Sequence, residues 1–198
     1  MIQIINTGVA NIRSLQAAFD RLGCQWKLSE DASEIETASH VVLPGVGAFA
    51  AAAQSLDRLN LRDSITDRIS RPDSPTLCIC LGMQLLCQSS EEADSAKGLG
   101  ILPHTIKRFG IDVKVPQLGW NEVRPKVSGP FKTGEAYFAN SFRLEDAPDG
   151  WGFAETEYGG VFISSVWRGR TLACQFHPEL SGRWGQQVLM NWIKGTKC

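Results

Sequence analysis

The residues best suited to chemistry begin with a cysteine at the end of an apolar run. The run starting at Thr76 ends at Cys80, Leu81-Gly82 follow, and a helix-like run begins at Met83. A strand that turns sharply into a helix with a nucleophile at the corner is the nucleophile-elbow pattern, in which a small residue such as glycine relieves crowding. The N–H groups and dipole of the following helix would favour the thiolate of Cys80. A buried strand with two packing cysteines explains the same residues equally well.

A catalytic thiol needs a base, which is most often histidine. Of the three histidines, we expect His40 to be structural, because it precedes a buried strand, and His104 to lie on the surface. His177 follows the apolar run 171–176 and precedes Pro178-Glu179. The proline favours extended backbone at the histidine, and the carboxylate of the glutamate can hold the imidazole tautomer and stabilise the imidazolium. A solvated turn at a strand end is the alternative interpretation.

Two groups of backbone N–H donors are candidates for an oxyanion hole. One donor is the N–H of Leu81, the residue after the cysteine, and the others come from Gly45-Val46-Gly47. Small residues let a backbone approach a ligand closely, and such donors stabilise the negative charge of a tetrahedral intermediate. An ordinary loop between a strand and a helix explains these glycines as well.

The elements that must position these residues follow an α/β pattern. Buried strands are predicted at 2–6, 24–29, 40–43 and 76–80, and helical patterns separate them. The first helix has one apolar face (Leu15, Ala18, Phe19, Leu22), with Asn11 as cap and Gly23 as stop, and Asp31 with Glu34 resembles a capping box. This alternation predicts an open, mostly parallel, flavodoxin-like sheet flanked by helices. The loop 44–47 and the corner at Cys80 would then meet at the carboxyl edge of the sheet.

The pattern changes after about residue 98. Short strand-like runs alternate with Gly-rich turns and predict a C-terminal antiparallel or mixed β layer; the runs are 106–109, 119–124, 136–142, 152–156, 161–167 and 171–176. A helix over 184–194 closes the chain, with Ser181 as its predicted cap.

Composition excludes several classes of function. The chain has 198 residues and a net charge of −1, which predicts one domain (1–198) and no nucleic-acid groove. Its apolar runs are too short to span a bilayer, and its start predicts a strand rather than a signal peptide. The six cysteines show no zinc spacing, so we expect reduced thiols, a cytoplasmic location, and no metal or cofactor.

Three stretches together resemble the class I (triad) glutamine amidotransferases: 44–49 (Pro-Gly-Val-Gly-Ala-Phe), 80–84 (Cys-Leu-Gly-Met-Gln) and 175–179 (Gln-Phe-His-Pro-Glu). Within that class, three further stretches are similar to the glutaminase subunits of imidazole glycerol phosphate synthases of histidine biosynthesis; they are 7–15, 118–121 and 137–142. The resemblance covers residues 1 to about 193.

The resemblance implies a reaction and a set of roles. L-Glutamine would be hydrolysed to glutamate and ammonia through a glutamyl thioester on Cys80, with His177 as proton shuttle and Glu179 completing the triad. The oxyanion hole would use Val46, Gly47 and Leu81. Glutamine would bind through Gly45, Gln84, Ser141 and Phe142, and also Gly47. Trp120 and Asn121 would contact a (β/α)8-barrel cyclase subunit, which would form a heterodimer with this chain and receive the ammonia.

Five positions depart from the family pattern: Cys78 replaces a glycine of the elbow, Gln117 and Asn140 each replace a histidine, Phe142 replaces a tyrosine, and Leu180 replaces a basic residue. The glycine replacement is expected to crowd the corner.

Three alternatives for the function stay open. The first is a paralogous subunit that supplies ammonia to another synthase, such as one of aminosugar or surface-polysaccharide assembly. The second is an elbow-cysteine hydrolase or peptidase, and the third is a non-catalytic binding subunit.

Overall fold

A nine-stranded sheet runs through the computed structural model, which describes residues 1–8 and 12–196. Its strands are β1 (Ile2–Ile5), β2 (Trp26–Ser29), β3 (His40–Gly45), β4 (Thr76–Cys80), β7 (Gln117–Pro125), β8 (Gly134–Asn140), β10 (Gly152–Glu157), β11 (Val161–Arg168) and β12 (Thr171–Cys174). A small second sheet contains β5 (Cys87–Ser90), β6 (Leu102–Arg108) and β9 (Phe142–Arg143). The helices are α1 (Ile12–Arg21), α2 (Ala32–Thr37), α3 (Phe49–Arg58), α4 (Arg62–Ser70), α5 (Leu81–Gln84) and α6 (Gly182–Lys194). None of these helices has the length and apolarity needed to cross a bilayer.

The order of strands in the large sheet is β2-β1-β3-β4-β12-β11-β10-β7-β8. The first five are parallel, in a flavodoxin-like order, and the last four are antiparallel to their neighbours. The predicted fold class is therefore confirmed. The antiparallel strands continue the same sheet instead of forming a separate layer, because β12 pairs in parallel with β4 and carries its hairpin partner β11 with it.

The central strand β4 is buried along its whole length, and β3 and β12 pair with it on either side. Parallel strands covered on both faces have continuous apolar sequences, which explains the run that ends at Cys80. Two core clusters lie on the two faces of the sheet. One cluster includes Leu43 and Cys78 with residues of α2 to α5, and the other includes Leu77 and Phe176 with residues of α1 and α6.

The predicted beginnings of helices are only partly correct. Asp31 caps α2, since its carboxylate accepts from the backbone N–H groups of Ser33 and Glu34, but Glu34 turns to Lys27 and Ser29 instead of completing a capping box. Leu15, Ala18 and Phe19 of the predicted apolar face of α1 are buried, whereas Leu22 follows the end of the helix and is half-buried. Its proposed cap Asn11 lies outside the described residues, as do the preceding residues 9 and 10 of the stretch that resembles glutaminase subunits.

The elbow helix is shorter than the sequence predicts. A helix-like run is predicted to begin at Met83, but α5 starts at Leu81 and ends at Gln84 after a single turn. The chain leaves the helix because the carbonyl groups of Leu85, Leu86 and Cys87 accept hydrogen bonds from the segment 99–102, which leads into the small sheet. A helix of one turn has a weak dipole, so the support for a thiolate at Cys80 must come mainly from side chains.

Candidate active site

Cys80 occupies a strained corner between β4 and α5. Its backbone lies at φ +52° and ψ −108°, which non-glycine residues rarely adopt. A Cβ atom at Gly82 would lie 2.0 Å from the carbonyl oxygen of Leu43, so only glycine fits where the helix passes β3. The corner therefore has the geometry of a nucleophile elbow, and the local sequence forms it by placing a glycine at the point of closest approach.

The elbow separates the two cysteines of β4. The thiol of Cys78 is fully buried in the cluster that contains Leu81 and Met83 of the elbow helix, and the expected crowding of the corner remains a prediction. Cys80 belongs to the other cluster and reaches a cavity at the carboxyl edge of the sheet. Burial raises the pKa of the Cys78 thiol to about 12, so Cys78 stays protonated and unreactive near neutral pH.

We expect Cys78→Ser to leave the activity that the resemblance implies, release of glutamate from glutamine, within about twofold of wild type, because the side chain does not reach the cavity. The buried hydroxyl should lower the free energy of unfolding by about 1 kcal/mol. Steady-state kinetics together with urea unfolding measure both quantities. A loss of activity in a variant that remains folded would contradict the assignment of the two thiols.

His177 and Glu179 form a buried pair. Nδ1 of His177 lies 2.8 Å from Oε1 of Glu179, and their side chains are 7% and 5% exposed. The backbone of the histidine is fixed as well: its N–H donates to the carbonyl of Tyr137, and its carbonyl accepts from Oγ of Ser181 at 2.6 Å. Ser181 occupies the N-cap position of α6 as predicted, but its hydroxyl makes no capping hydrogen bond. The hydroxyl holds the histidine in place instead.

The protonation of His177 reflects opposing influences. Burial lowers the pKa of the imidazole, but hydrogen bonds and charge interactions with Cys80 and Glu179 outweigh burial and raise this pKa to about 10. Because Nδ1 faces Glu179, the other ring nitrogen, Nε2, is the one available to exchange a proton with Cys80, which lines the same cavity. An imidazole that holds its proton in the same cavity as Cys80 can act as the acid that a thiol nucleophile needs.

The raised pKa of His177 predicts how stability depends on pH. The folded state binds the imidazole proton more tightly than the unfolded state, whose pKa is near 6.5. The resulting stabilisation is complete below about pH 6.5 and is lost as the pH rises through about 10. In urea unfolding, the free energy of unfolding of wild type should decline as the pH rises across this range. The decline should be smaller in His177→Gln, which lacks the titrating imidazole. Parallel curves for the two proteins would contradict the prediction.

A cavity of about 250 Å³ adjoins the thiol. Its lining consists of Val46, Gly47, Cys80, Leu81, Gln84, Glu92, Ala139, Asn140, Ser141, Phe142 and His177. The fold thus brings together most of the predicted oxyanion and glutamine-binding residues. Gly47 adopts φ +97°, a conformation that suits glycine.

Gly45 does not line this cavity. A Cβ atom there would lie 2.8 Å from Cβ of Leu81 and 3.2 Å from the backbone nitrogen of Gly82. The missing side chain therefore lets the end of β3 approach the elbow, which positions the loop that begins at Val46. A direct role for Gly45 in binding glutamine remains a prediction.

Two residues at the site do not stand out as individual candidates in the sequence. Gln175 is buried, and its Nε2 lies 3.5 Å from Sγ of Cys80. Glu92 contributes a carboxylate to the cavity, and Oε2 of this residue accepts from the N–H of Phe49 at 2.9 Å. Gln175 stands within a recognised motif, whereas the sequence around Glu92 gives no signal because the residue enters the site through tertiary folding.

Two departures from the family pattern are neighbours in space. Gln117 and Asn140 face each other across β7 and β8, and Asn140 lines the cavity. The side-chain amide of Asn140 donates to the carbonyl of Phe142 at 3.0 Å, and that of Gln117 donates to Oδ1 of Asn121 at 2.8 Å. Among the described residues, the side-chain carbonyl oxygens of Gln117 and Asn140 have no hydrogen-bond partner although they are buried.

Three large apolar side chains are exposed, two of them on β7 and one three residues after His177. Trp120 is 54% exposed, Leu118 is 62% exposed, and Leu180 is 41% exposed. The ring of Trp120 packs edge-to-face against Tyr137, whose carbonyl binds the backbone of His177. Exposed large side chains of this kind mark interaction surfaces when they are contiguous. The predicted interface residue Asn121 is half-buried.

Comparison with known proteins gives a consistent picture. The sequence profile of "Glutamine amidotransferase class-I" matches residues 3–194. Imidazole glycerol phosphate synthase subunit HisH of Dehalococcoides mccartyi strain CBDB1 is 39% identical, with coverage of 98% of this chain and 97% of the relative. The HisH subunit of Moorella thermoacetica is 40% identical, over 96% and 93%.

Solved structures agree in fold. A glutamine amidotransferase crystal structure aligns with a TM-score of 0.78 at 16% identity, covering 98% of this chain and 99% of that chain. A glutamine amidotransferase from Thermotoga maritima aligns with a TM-score of 0.62 at 17% identity, covering 98% and 80%. The family match and the full-length relatives bear out the resemblance that the motifs indicated. The chain belongs to the class I glutamine amidotransferases and, within them, to the family of HisH subunits of imidazole glycerol phosphate synthase.

Proposed function

We propose that this chain is the glutaminase subunit of an imidazole glycerol phosphate synthase. It hydrolyses L-glutamine to glutamate and ammonia and delivers the ammonia to a cyclase subunit. The observation that carries the proposal is the position of Cys80 on a strained elbow, in one cavity with His177, which pairs with Glu179 at 2.8 Å. The relatives named HisH support the same function and its place in histidine biosynthesis.

The proposed reaction has two steps, formation of a thioester on Cys80 and its hydrolysis. The thiolate of Cys80 attacks the side-chain amide carbon of glutamine, and His177 gives its proton to the departing nitrogen, so ammonia leaves and a glutamyl thioester remains. His177 then takes a proton from water, which attacks the thioester and releases glutamate. Glu179 stabilises the imidazolium and holds Nδ1, so Nε2 is the nitrogen that exchanges protons in both steps.

The charged and hydrogen-bonding groups of the cavity explain why glutamine is the proposed substrate. Backbone N–H groups of Leu81 and of the Val46-Gly47 loop, which line the cavity, are the proposed donors to the oxyanion. The carboxylate of Glu92 on the cavity wall complements the α-ammonium group of the substrate. Gln84 and the strand end at 141–142 supply amide and backbone groups for the rest of the amino acid.

The ammonia acceptor belongs to a partner. The proposed partner is a (β/α)8-barrel cyclase that binds as a heterodimer through Trp120 and Asn121, with the neighbouring apolar side chains Leu118 and Leu180. Leu180 replaces a basic residue, so this contact should be apolar rather than ionic. Residues 1–198 act as a single amidotransferase domain, and the complex works in the cytoplasm.

The alternatives have less support. The full-length similarity to HisH subunits favours this pathway over a paralogous amidotransferase for aminosugar or surface-polysaccharide synthesis. Membership of the amidotransferase family argues against a peptidase with an elbow cysteine. A non-catalytic subunit would have no need of a Cys80 that shares its cavity with His177, or of a His177 that pairs with Glu179.

Reconstitution tests the proposal. We expect low glutamine turnover by the isolated chain and a rise of at least about tenfold when the cyclase and its nucleotide substrate bind, because a glutaminase without an acceptor would waste glutamine. Glutamate release is measured with and without the partner purified from the same cell, with a Cys80→Ala chain as the blank. Equal turnover in both conditions would contradict coupling, and absence of turnover in both would contradict the function.

A further inference from the structure

Two buried glutamines connect the wall of the cavity to the sulfur of Cys80. Oε1 of Gln175 accepts from Nε2 of Gln84 at 3.0 Å, and Nε2 of Gln175 lies 3.5 Å from the sulfur. Gln175 is 1% exposed and Gln84 is 5% exposed. We call these two residues the amide pair. Among the described residues, Gln175 is the side-chain amide that contacts the thiol directly.

The direction of these hydrogen bonds is fixed by the main chain. Nε2 of Gln84 also donates to the backbone carbonyl of Phe142, at 3.4 Å. A carbonyl oxygen only accepts, so Gln84 must turn its NH₂ group to this side. Gln175 must then present its own oxygen to Gln84, which leaves its NH₂ group facing Cys80. The sulfur therefore receives a donor whose polarity cannot reverse without breaking two hydrogen bonds.

The backbone holds Gln175 in this position. Its N–H donates to the carbonyl of Ser164 at 2.9 Å, which continues the pairing of β11 and β12. His177 has extended backbone, and residues two apart in an extended chain project to the same side. Gln175 and His177 thus both reach Cys80, whereas Phe176 between them is buried in the aromatic core.

We infer that Gln175 is a further catalytic residue, whose N–H stabilises the thiolate of Cys80, and that Gln84 is the positioning residue that orients it. The inference rests on the proposed function insofar as it takes Cys80 as the nucleophile. A neutral N–H donor complements His177, because the histidine must give its proton away during the reaction while the amide keeps its own. The same donor assists the sulfur when it departs as a thiolate from the thioester.

A second consequence concerns substrate binding. Gln84 lines the cavity and is a proposed glutamine-binding residue, and it also fixes the donor at the sulfur. A substrate molecule that contacts Gln84 therefore contacts the residue that orients the hydrogen bond from Gln175 to the sulfur of Cys80. The amide pair links recognition of the substrate to the state of the thiol through two hydrogen bonds.

Alkylation of Cys80 by iodoacetamide tests the inference without using glutamine hydrolysis. The thiolate displaces iodide and forms an S–CH₂ bond, so the rate across pH follows the thiolate population. At neutral pH, Cys80 in the Gln175→Met variant should be alkylated about tenfold more slowly than in wild type. Its pH profile, the curve of alkylation rate against pH, should shift to higher pH. Gln175→Glu should react more slowly still, because a carboxylate would face the sulfur. Tandem mass spectrometry distinguishes Cys80 from Cys78.

Control and decisive variants complete the experiment. Gln3→Met removes another buried amide, on β1 and outside the cavity, and should keep the wild-type profile. Gln84→Glu places a carboxylate, which only accepts hydrogen bonds, opposite Gln175. Gln175 must then turn its NH₂ group to residue 84 and its oxygen towards the sulfur. The pH profile of alkylation should therefore shift as it does for Gln175→Glu. Thermal unfolding identifies folded variants, and Gln84→Glu decides the question if the Gln175 variants do not fold.

If the pH profiles of alkylation of the folded variants superimposed on that of wild type, the role of the amide pair would be overturned. This holds even where glutaminase activity falls. A shift of the profile in Gln175→Met and Gln84→Glu, but not in Gln3→Met, supports it. The proposed function fails by a different result, namely a wild-type chain with no glutaminase activity in the presence of its partner. The alkylation profiles still decide the role of the amide pair in that case.

Discussion

Replacement of Cys80 by serine is expected to abolish glutamine-dependent synthesis while ammonia-dependent synthesis by the partner continues. A hydroxyl group is far harder to ionise than a thiol, so His177 cannot convert it into an effective nucleophile in the same geometry. Because the triad acts as a unit, removal of its nucleophile should lower glutamine hydrolysis by at least about 10⁴-fold. The cyclase accepts external ammonia without passing through the thioester, so its own chemistry is preserved.

The measurement compares two nitrogen donors in one complex. Glutamate release and product formation are followed with glutamine, and product formation is followed again with an ammonium salt. Cys78→Ser is the matched control, since it makes the same chemical change two residues away on the opposite face of the sheet. If Cys78→Ser were inactive and Cys80→Ser active, the assignment of the nucleophile would be wrong.

Gly82→Ala is expected to have the largest effect on the fold of the site. The added Cβ would lie 2.0 Å from the carbonyl oxygen of Leu43, a backbone atom that cannot rotate away. Overpacking against backbone should lower the free energy of unfolding by about 3 kcal/mol. Relief of the clash must push β3 away from the elbow. Since β3 leads into the loop with Val46 and Gly47, the oxyanion donors would separate, and activity should fall even where the protein remains folded.

Urea unfolding and kcat/KM below the melting temperature measure the two effects. Gly110→Ala is the control, because a Cβ atom at Gly110 meets no atom within 4 Å. It should change stability by less than about 0.5 kcal/mol and leave activity unaffected. Wild-type stability and activity in Gly82→Ala would show that the elbow does not need glycine at this position.

Much of the fold was predictable because the relevant signals are local. Apolar runs and helical periodicity depend on neighbouring residues, and they placed the strands of the parallel half and most of the helices correctly. The single turn of α5 was not predictable, since distant carbonyl–amide pairing with residues 99–102 ends the helix. The continuation of the sheet through β11, β10, β7 and β8 was missed for a similar reason, because strand order depends on partners far apart in sequence.

The chemical types of the site can be read from the order of residues alone: a thiol before a small residue, one histidine followed by Pro-Glu, and a glycine-rich loop after a strand. Which thiol reaches the cavity depends on tertiary structure, because a positive φ at Cys80 turns its side chain away from the face that Cys78 occupies. The same is true of the places of Gln175 and Glu92 in the site. Residue type limits the possible reactions, but only the packing of separate elements brings the reacting atoms within hydrogen-bonding distance.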